Sequence, residues 1–92
     1  MREANKSQYI NCGNQHLYYF DNGYGASVIR TALSLGWDER KWELAVLKKT
    51  PGNGWPLCYD TPITSDVIGG LSEDEVDALL VAIEKLPKEE EE

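Results

Sequence analysis

The segment from Ser72 to Leu86 constrains the fold most, because it carries every local signal of one amphipathic helix. Ser72 and Glu75 have the spacing of a capping box, in which each side chain binds the backbone N–H of the other residue. Apolar residues then recur every three or four positions, at Val76, Leu79, Leu80, Ile83 and Leu86. Pro87 ends the pattern. Because such a stripe is stable only when buried, the chain must contain a hydrophobic core.

The first third of the chain contains β-favouring runs separated by turn residues. Residues 1–7 are expected to be frayed. Residues 8–12, Gln8 to Cys12, form a short first strand or an extended arm, which Gly13–Asn14 interrupts. The aromatic run Leu17–Asp21 predicts the next strand.

A hairpin is predicted at Asn22–Gly23, because both residue types tolerate positive φ. Residues 26–31 would be the return strand. Residues 26–35 also fit a helical face ended by Gly36, so a helix there is left open, although the β-branched residues favour a strand. An irregular connection over 35–41 follows.

Residues 42–48 are interpreted as a strand, because Trp42, Leu44 and Val46 alternate with the residues between them. Residues 50–56 are a loop, and 57–59 a short edge strand. Residues 60–70 are predicted to be a connection whose apolar residues point inward, namely Ile63, Val67 and Ile68.

These elements predict an α+β fold, with a three- to four-stranded antiparallel meander and one C-terminal amphipathic helix packed on a face. The chain of 92 residues is long enough for one domain, assigned to 1–87, and the acidic tail 88–92 is expected to be disordered.

The net charge of −7 is confined to the end of the chain. Residues 1–71 hold seven Lys/Arg and seven Asp/Glu, whereas 72–92 hold two lysines and nine acids. A neutral body with an acidic end argues against direct nucleic-acid binding. No apolar run is long enough to span a bilayer and no secretory signal is evident, so a cytoplasmic location in the host cell is expected, without a membrane partner.

No catalytic or metal-binding constellation emerges. Cys12, His16 and Cys58 lack the paired spacing and the fourth ligand of a zinc site, and two reduced thiols are the cytosolic expectation. The glycine pairs are not phosphate loops. We therefore predict no enzyme activity, no metal and no cofactor.

Aromatic and acidic residues are the best candidates for a binding surface. One helix covers only one face of a small sheet, so the other face and the loops are expected to expose Tyr and Trp, which are favoured at protein interfaces. The predicted contact residues are Asn22, Tyr24, Trp37, Trp55, Glu73, Asp74 and Asp77.

Three blocks of the sequence resemble a family of small uncharacterised proteins encoded by bacteriophages and prophages. They are DNGYGASVIR at 21–30, WELAVL at 42–47, and WPLCYDTPITSDVIGGLSEDEV at 55–76. The similarity covers about residues 18–86, and the family carries no assigned activity. It implies a phage gene and a fold, and small acidic phage proteins often act by stoichiometric binding to host or defence proteins.

The leading hypothesis is therefore a small phage-encoded protein-interaction module that inhibits a host or anti-phage defence protein, as an anti-CRISPR-like protein would. The alternative is an oligomeric protein that sequesters a small ligand or nucleotide, and a homodimer is left open.

Overall fold

The computed structural model describes residues 1–10, 13–30, 41–52, 54–59, 61–63 and 67–87. Those residues form five strands and one helix: β1 (Lys6–Ile10), β2 (Gly13–Tyr19), β3 (Tyr24–Arg30), β4 (Trp42–Lys48), β5 (Ile68–Leu71) and α1 (Glu73–Glu84). The strands make one antiparallel sheet in the order β1-β2-β3-β4-β5, and α1 lies across β3, β4 and β5. The α+β class, the meander and the helix on one face are confirmed.

The sheet has five strands among the described residues rather than three or four. The strand that was missed is β5, with the sequence IGGL, where two glycines remove the β-propensity signal. It forms because antiparallel pairing places Leu71 opposite Trp42 and Ile68 opposite Leu44. Tertiary pairing therefore decided this element.

Three other predictions differ from the structure. Gly13–Asn14 does not interrupt the chain's β structure but begins β2, with Gly13 paired to Ile10. Val67 does not point inward and is exposed. The short strand predicted at 57–59 is reduced to one bridge, between Leu57 and Leu47.

The strand interpretation of the two central segments is confirmed. Residues 26–30 belong to β3 and are not helical, while 31–35, the rest of the alternative helix, lie outside the described residues. β4 has the predicted bounds. The connection 35–40, the tail 88–92 and Cys12 also lie outside the described residues.

We call the sheet face that carries α1 the inner face and the opposite one the outer face. Side chains alternate along a strand, so cross-strand partners share a face. Tyr18, Ala26 and Val46 form one such inner row and are almost completely buried. The core is completed by Val28, Trp42, Leu44, Leu71, Val76, Leu80, Ile83 and Leu86. The predicted helical stripe is thus buried, with Leu79 half-buried at its margin.

The capping box at the start of α1 is present. The Glu75 N–H donates to Ser72 Oγ at 3.2 Å, and the Ser72 N–H donates to Glu75 Oε1 at 3.0 Å. Both bonds satisfy donors that the first helical turn leaves unpaired. Three acids, Glu73, Asp74 and Glu75, lie in that turn, at the positive end of the helix dipole.

Residues 1–5, which we call the N-terminal strap, pack beside α1 on the inner face, so the prediction that 1–7 are frayed was wrong. The Arg2 N–H donates to Asp77 Oδ1 at 2.9 Å, and the Arg2 guanidinium donates to both carboxylate oxygens of Glu84, at 3.1 and 3.3 Å. Asp77 and Glu84 of α1 therefore bind the first residues of the same chain.

Replacing Ser72 by Ala should lower the free energy of unfolding by about 0.5–2 kcal/mol, because the first turn loses a bonded donor. Urea denaturation measures this change. Asp74→Asn is the matched control, since it removes a first-turn charge and leaves the box intact. A Ser72→Ala variant as stable as wild type would show that the cap does not stabilise this end.

The capping box also predicts a pH dependence. The pKa of Glu75 lies below its ordinary value because its carboxylate accepts the backbone N–H of Ser72. A lowered folded-state pKa stabilises the fold above the ordinary Glu pKa of about 4.3, and this stabilisation disappears as the pH falls through the lowered pKa. The stability gap between wild type and Glu75→Ala, measured by urea denaturation, should therefore narrow from pH 7 to pH 3. A gap independent of pH would contradict this.

Candidate functional site

Asn22, a predicted contact residue, instead ties the β2–β3 hairpin to the end of α1. Its Nδ2 donates to the backbone carbonyls of Ile83, Glu84 and Leu86 at 2.9, 3.2 and 3.0 Å. Its Oδ1 accepts the Tyr24 N–H at 3.0 Å. Helix C-terminal carbonyls lack intrahelical donors, so this amide caps them from a distant segment.

Tyr24 packs against the core and does not lie at the tip of the hairpin. It belongs to β3, faces inward and packs against the core cluster, half-buried. The Lys48 ammonium lies 6.0 Å from its ring centroid, at the limit of a cation–π contact. The exposed hairpin position predicted for it is occupied by Asp21.

The acidic contact residues on α1 are partly used inside the molecule. The amino group of Met1 lies 3.2 Å from Glu73 Oε1 and 3.8 Å from Asp77 Oδ2. The hydrogen bond to Glu73 raises the pKa of that amino group, with the negative charges of Asp77 and Asp74 adding to the effect. Asp74 itself is exposed.

Trp55 is the predicted contact residue that lies on the outer face, where it is half-buried. Its ring packs against Tyr19 with centroids 4.7 Å apart and planes inclined at 39°. A Cβ at Gly25 would lie 3.3 Å from the Trp55 ring and would overlap the Tyr18 carbonyl, so glycine is required there. Trp37, the remaining predicted contact residue, lies outside the described residues.

The two rings belong to a continuous apolar strip on the outer face. Cross-strand pairing aligns Tyr19, Gly25, Leu47 and Leu57 in one row. Leu47 is buried, whereas Leu57 is 51% exposed, and Tyr19 and Trp55 are half-buried. We call Tyr19, Trp55 and Leu57 the aromatic platform.

Sequence reasoning missed Tyr19 and Leu57. A usable signal was present at Tyr19, because alternation places it on the face opposite the buried Tyr18. No local pattern reveals that Trp55 returns over Gly25, since this contact joins residues thirty positions apart.

Ser7, His16 and Arg30 form a polar cluster around Trp42 on the inner face. Ser7 Oγ and His16 Nδ1 are 2.7 Å apart, and the His16 ring lies 5.3 Å from that of Trp42. The Arg30 guanidinium lies over Trp42 at 4.7 Å. Burial and the charge of Arg30 lower the pKa of His16.

The Ser7–His16 pair does not have the arrangement of a catalytic dyad. A general base must stabilise the imidazolium that forms when it takes a proton, usually through a carboxylate on its second nitrogen. Here the charged neighbour is Arg30, which opposes protonation of His16. The arrangement fits a neutral histidine that packs against Trp42.

Among the described residues, no three His, Cys, Asp or Glu side chains are grouped to hold a metal ion. Cys58 has a free thiol, is half-buried and packs against the core cluster. The grouping of Cys12, His16 and Cys58 is untested because Cys12 is not described. No helix in the described ranges has the length and apolar character needed to cross a bilayer.

Comparison with known proteins does not assign the chain to a family: no family model, curated protein or solved structure matches it. The resemblance to phage proteins therefore stays a prediction based on its three sequence blocks. Any functional conclusion depends on the geometry of the surface.

Replacing Asn22 by Ala should lower the free energy of unfolding by about 1–3 kcal/mol, because three carbonyls and one N–H lose their partner. Asn22→Asp should be at least as unstable, since its carboxylate would face the negative end of α1. Urea denaturation checks both, with the exposed Asp21→Ala as control. If both Asn22 variants are as stable as wild type, the tie has no structural role.

Proposed function

We propose that this chain is a small protein-interaction module that binds its partner through the aromatic platform on the outer face. The observation that carries the proposal is the Tyr19–Trp55 pair, half-exposed on a face that no described helix covers. Both α1 and the N-terminal strap pack on the inner face. The described part of the chain thus leaves Tyr19, Trp55 and Leu57 partly accessible to another molecule.

The residue types on this strip suit a protein interface. Tyr and Trp contribute large contact area and lose little rotamer entropy, and they are enriched among residues that dominate binding energy. Leu57 and the nearby Tyr59 extend the apolar surface, being 51% and 42% exposed. Half-buried Leu17 and Ile29 lie on the same face.

The platform is held in place before any partner arrives. On both sides of it, backbone bonds tie the segment after Trp55 to β4: Lys48 N–H donates to the Pro56 carbonyl at 3.1 Å, and Cys58 N–H to the Val46 carbonyl at 2.7 Å. Thr50 N–H donates to the Gly54 carbonyl at 2.9 Å and closes the loop before it. A preorganised surface loses less conformational entropy when it binds a partner.

A host or anti-phage defence protein is the partner class that fits the sequence resemblance. Inhibition would follow from covering a functional surface of that protein, which needs no catalytic group in the inhibitor. Apart from Lys6 and Glu43, the described strand residues of the outer face offer apolar and neutral polar contacts, and the acids of α1 lie on the opposite side of the sheet. Direct nucleic-acid binding through α1 is disfavoured by its charge.

Trp55→Ala should abolish partner capture and leave the chain folded, with a smaller loss of stability than Tyr24→Ala, because Trp55 packs on the outer face away from the core cluster. Tyr24→Ala should do the reverse and lower stability by about 2–4 kcal/mol, as removal of a core-packed aromatic does. Affinity capture from host lysate, repeated with the purified partner, and thermal denaturation are the measurements.

Val81→Ala serves as the control, because it removes an exposed apolar side chain on α1, on the side of the sheet opposite the platform, and should capture the partner as wild type does. The proposal fails if Trp55→Ala captures the partner as well as wild type does. It also fails if Trp55→Ala loses binding only because it unfolds, which circular dichroism would reveal.

A further inference from the structure

β1 is an open edge of the sheet. Among the strands that the structure describes, it pairs only with β2, and its side chains from Lys6 to Tyr9 are all exposed. Tyr9 is 74% exposed, the most exposed of the large hydrophobic residues described. An edge strand presents unpaired N–H and C=O groups that can template another strand.

The opposite edge of the sheet, at β4 and β5, is less suited to pairing with another strand. The outer edge of β4 is taken by β5 at Trp42 and Leu44, and by backbone bonds to residues 56–58 nearer its end. β5 has four residues, and Gly70 adopts a φ of +70°. Short, irregular strands are poor templates, so β1 is the edge suited to pairing.

The half of the sheet that borders this edge is free of carboxylates. β1, β2 and β3 contain no Asp or Glu, and they contain Lys6 and Arg30. In a chain of net charge −7, this half-sheet is cationic. A strand added at β1 would meet positive charge at Lys6, and carboxylates on it would gain from that field.

A second copy of this chain fits the edge poorly. Its own β1 offers only Lys6 and no carboxylate, and two copies of net charge −7 repel each other. Two paired five-residue strands also bury far less than the roughly 1,200 Å² at which stable interfaces begin. A partner that also covers the aromatic platform would bury more, because Lys6 pairs with Leu17, which shares a strand and a face with Tyr19.

We propose that β1 accepts an extended acidic segment of a protein partner as a sixth strand of the sheet. This deepens the proposed function and rests on it, because the same partner would cover the aromatic platform. Main-chain hydrogen bonds to β1 supply affinity, and alternate side chains of the added strand supply specificity.

The two faces of β1 define what the added strand should contain. Lys6 shares the outer face with its partner Leu17, and Tyr9 lies on the other side of the strand, opposite Asn14. A carboxylate opposite Lys6 and a β-branched or aromatic residue opposite Tyr9 are the favourable cross-strand pairs. The acid and the apolar residue are thus expected three positions apart.

The test is a selection of random twelve-residue displayed peptides against the full chain, followed by affinity measurement with the recovered peptides made synthetically. Recovered sequences should combine Asp or Glu with a β-branched or aromatic residue three positions away. Lys6→Glu should weaken their Kd about tenfold, since one attraction becomes a repulsion. Lys49→Glu, the same charge change on an exposed residue beyond β4, should leave Kd within twofold.

Amide hydrogen exchange of the full chain, with and without peptide, locates the added strand. Slower exchange in β1 supports the proposal. It is overturned if no acidic peptide is recovered, if Lys6→Glu binds as tightly as wild type, if protection appears away from β1, or if sedimentation shows a dimer that Tyr9→Lys dissociates.

The same variants separate this inference from the proposed function. If the purified partner is lost with Trp55→Ala and retained with Lys6→Glu, the platform binds the partner and the strand pairing is wrong. If acidic peptides pair with β1 while Trp55→Ala still captures the partner, the platform proposal is wrong and the edge remains a binding site.

Discussion

Burial of the α1 stripe against the inner face is the interaction on which the rest of the structure depends. The sheet alone has two open faces, and a small meander of this kind needs a packed layer to be stable. Polar contacts from distant segments then fix the helix: Asn22 holds its last carbonyls, and Arg2 binds Glu84 alongside it. Each contact joins parts of the chain more than sixty residues apart.

This arrangement decides which polar residues remain for function. Asn22 and Asp77, which the sequence predicts to be contact residues, form hydrogen bonds within the molecule instead. Bonding to the Arg2 guanidinium likewise lowers the pKa of Glu84. Some of the polar groups on the inner side are thus bonded within the molecule, whereas Tyr19 and Trp55 on the outer face are half-buried and contact each other.

Separation of charge follows from the same layering. The acids of α1 lie above the inner face, whereas β1, β2 and β3 carry no carboxylate. The five acids of α1 therefore lie on the layer opposite the surface that we propose for binding. A partner approaching the β1 edge would meet Lys6 before it meets the acidic helix.

The sequence by itself determined α1, β4, the Asn22–Gly23 hairpin and the α+β class, because each depends on local periodicity, capping or turn chemistry. Only the tertiary structure decided that the IGGL segment is a strand, that the first five residues bind α1, and that Trp55 returns over Gly25. These features come from pairing between distant residues, which no local pattern encodes. α1 can therefore be predicted from its own residues. The surface proposed for binding depends on how the whole chain packs around that helix.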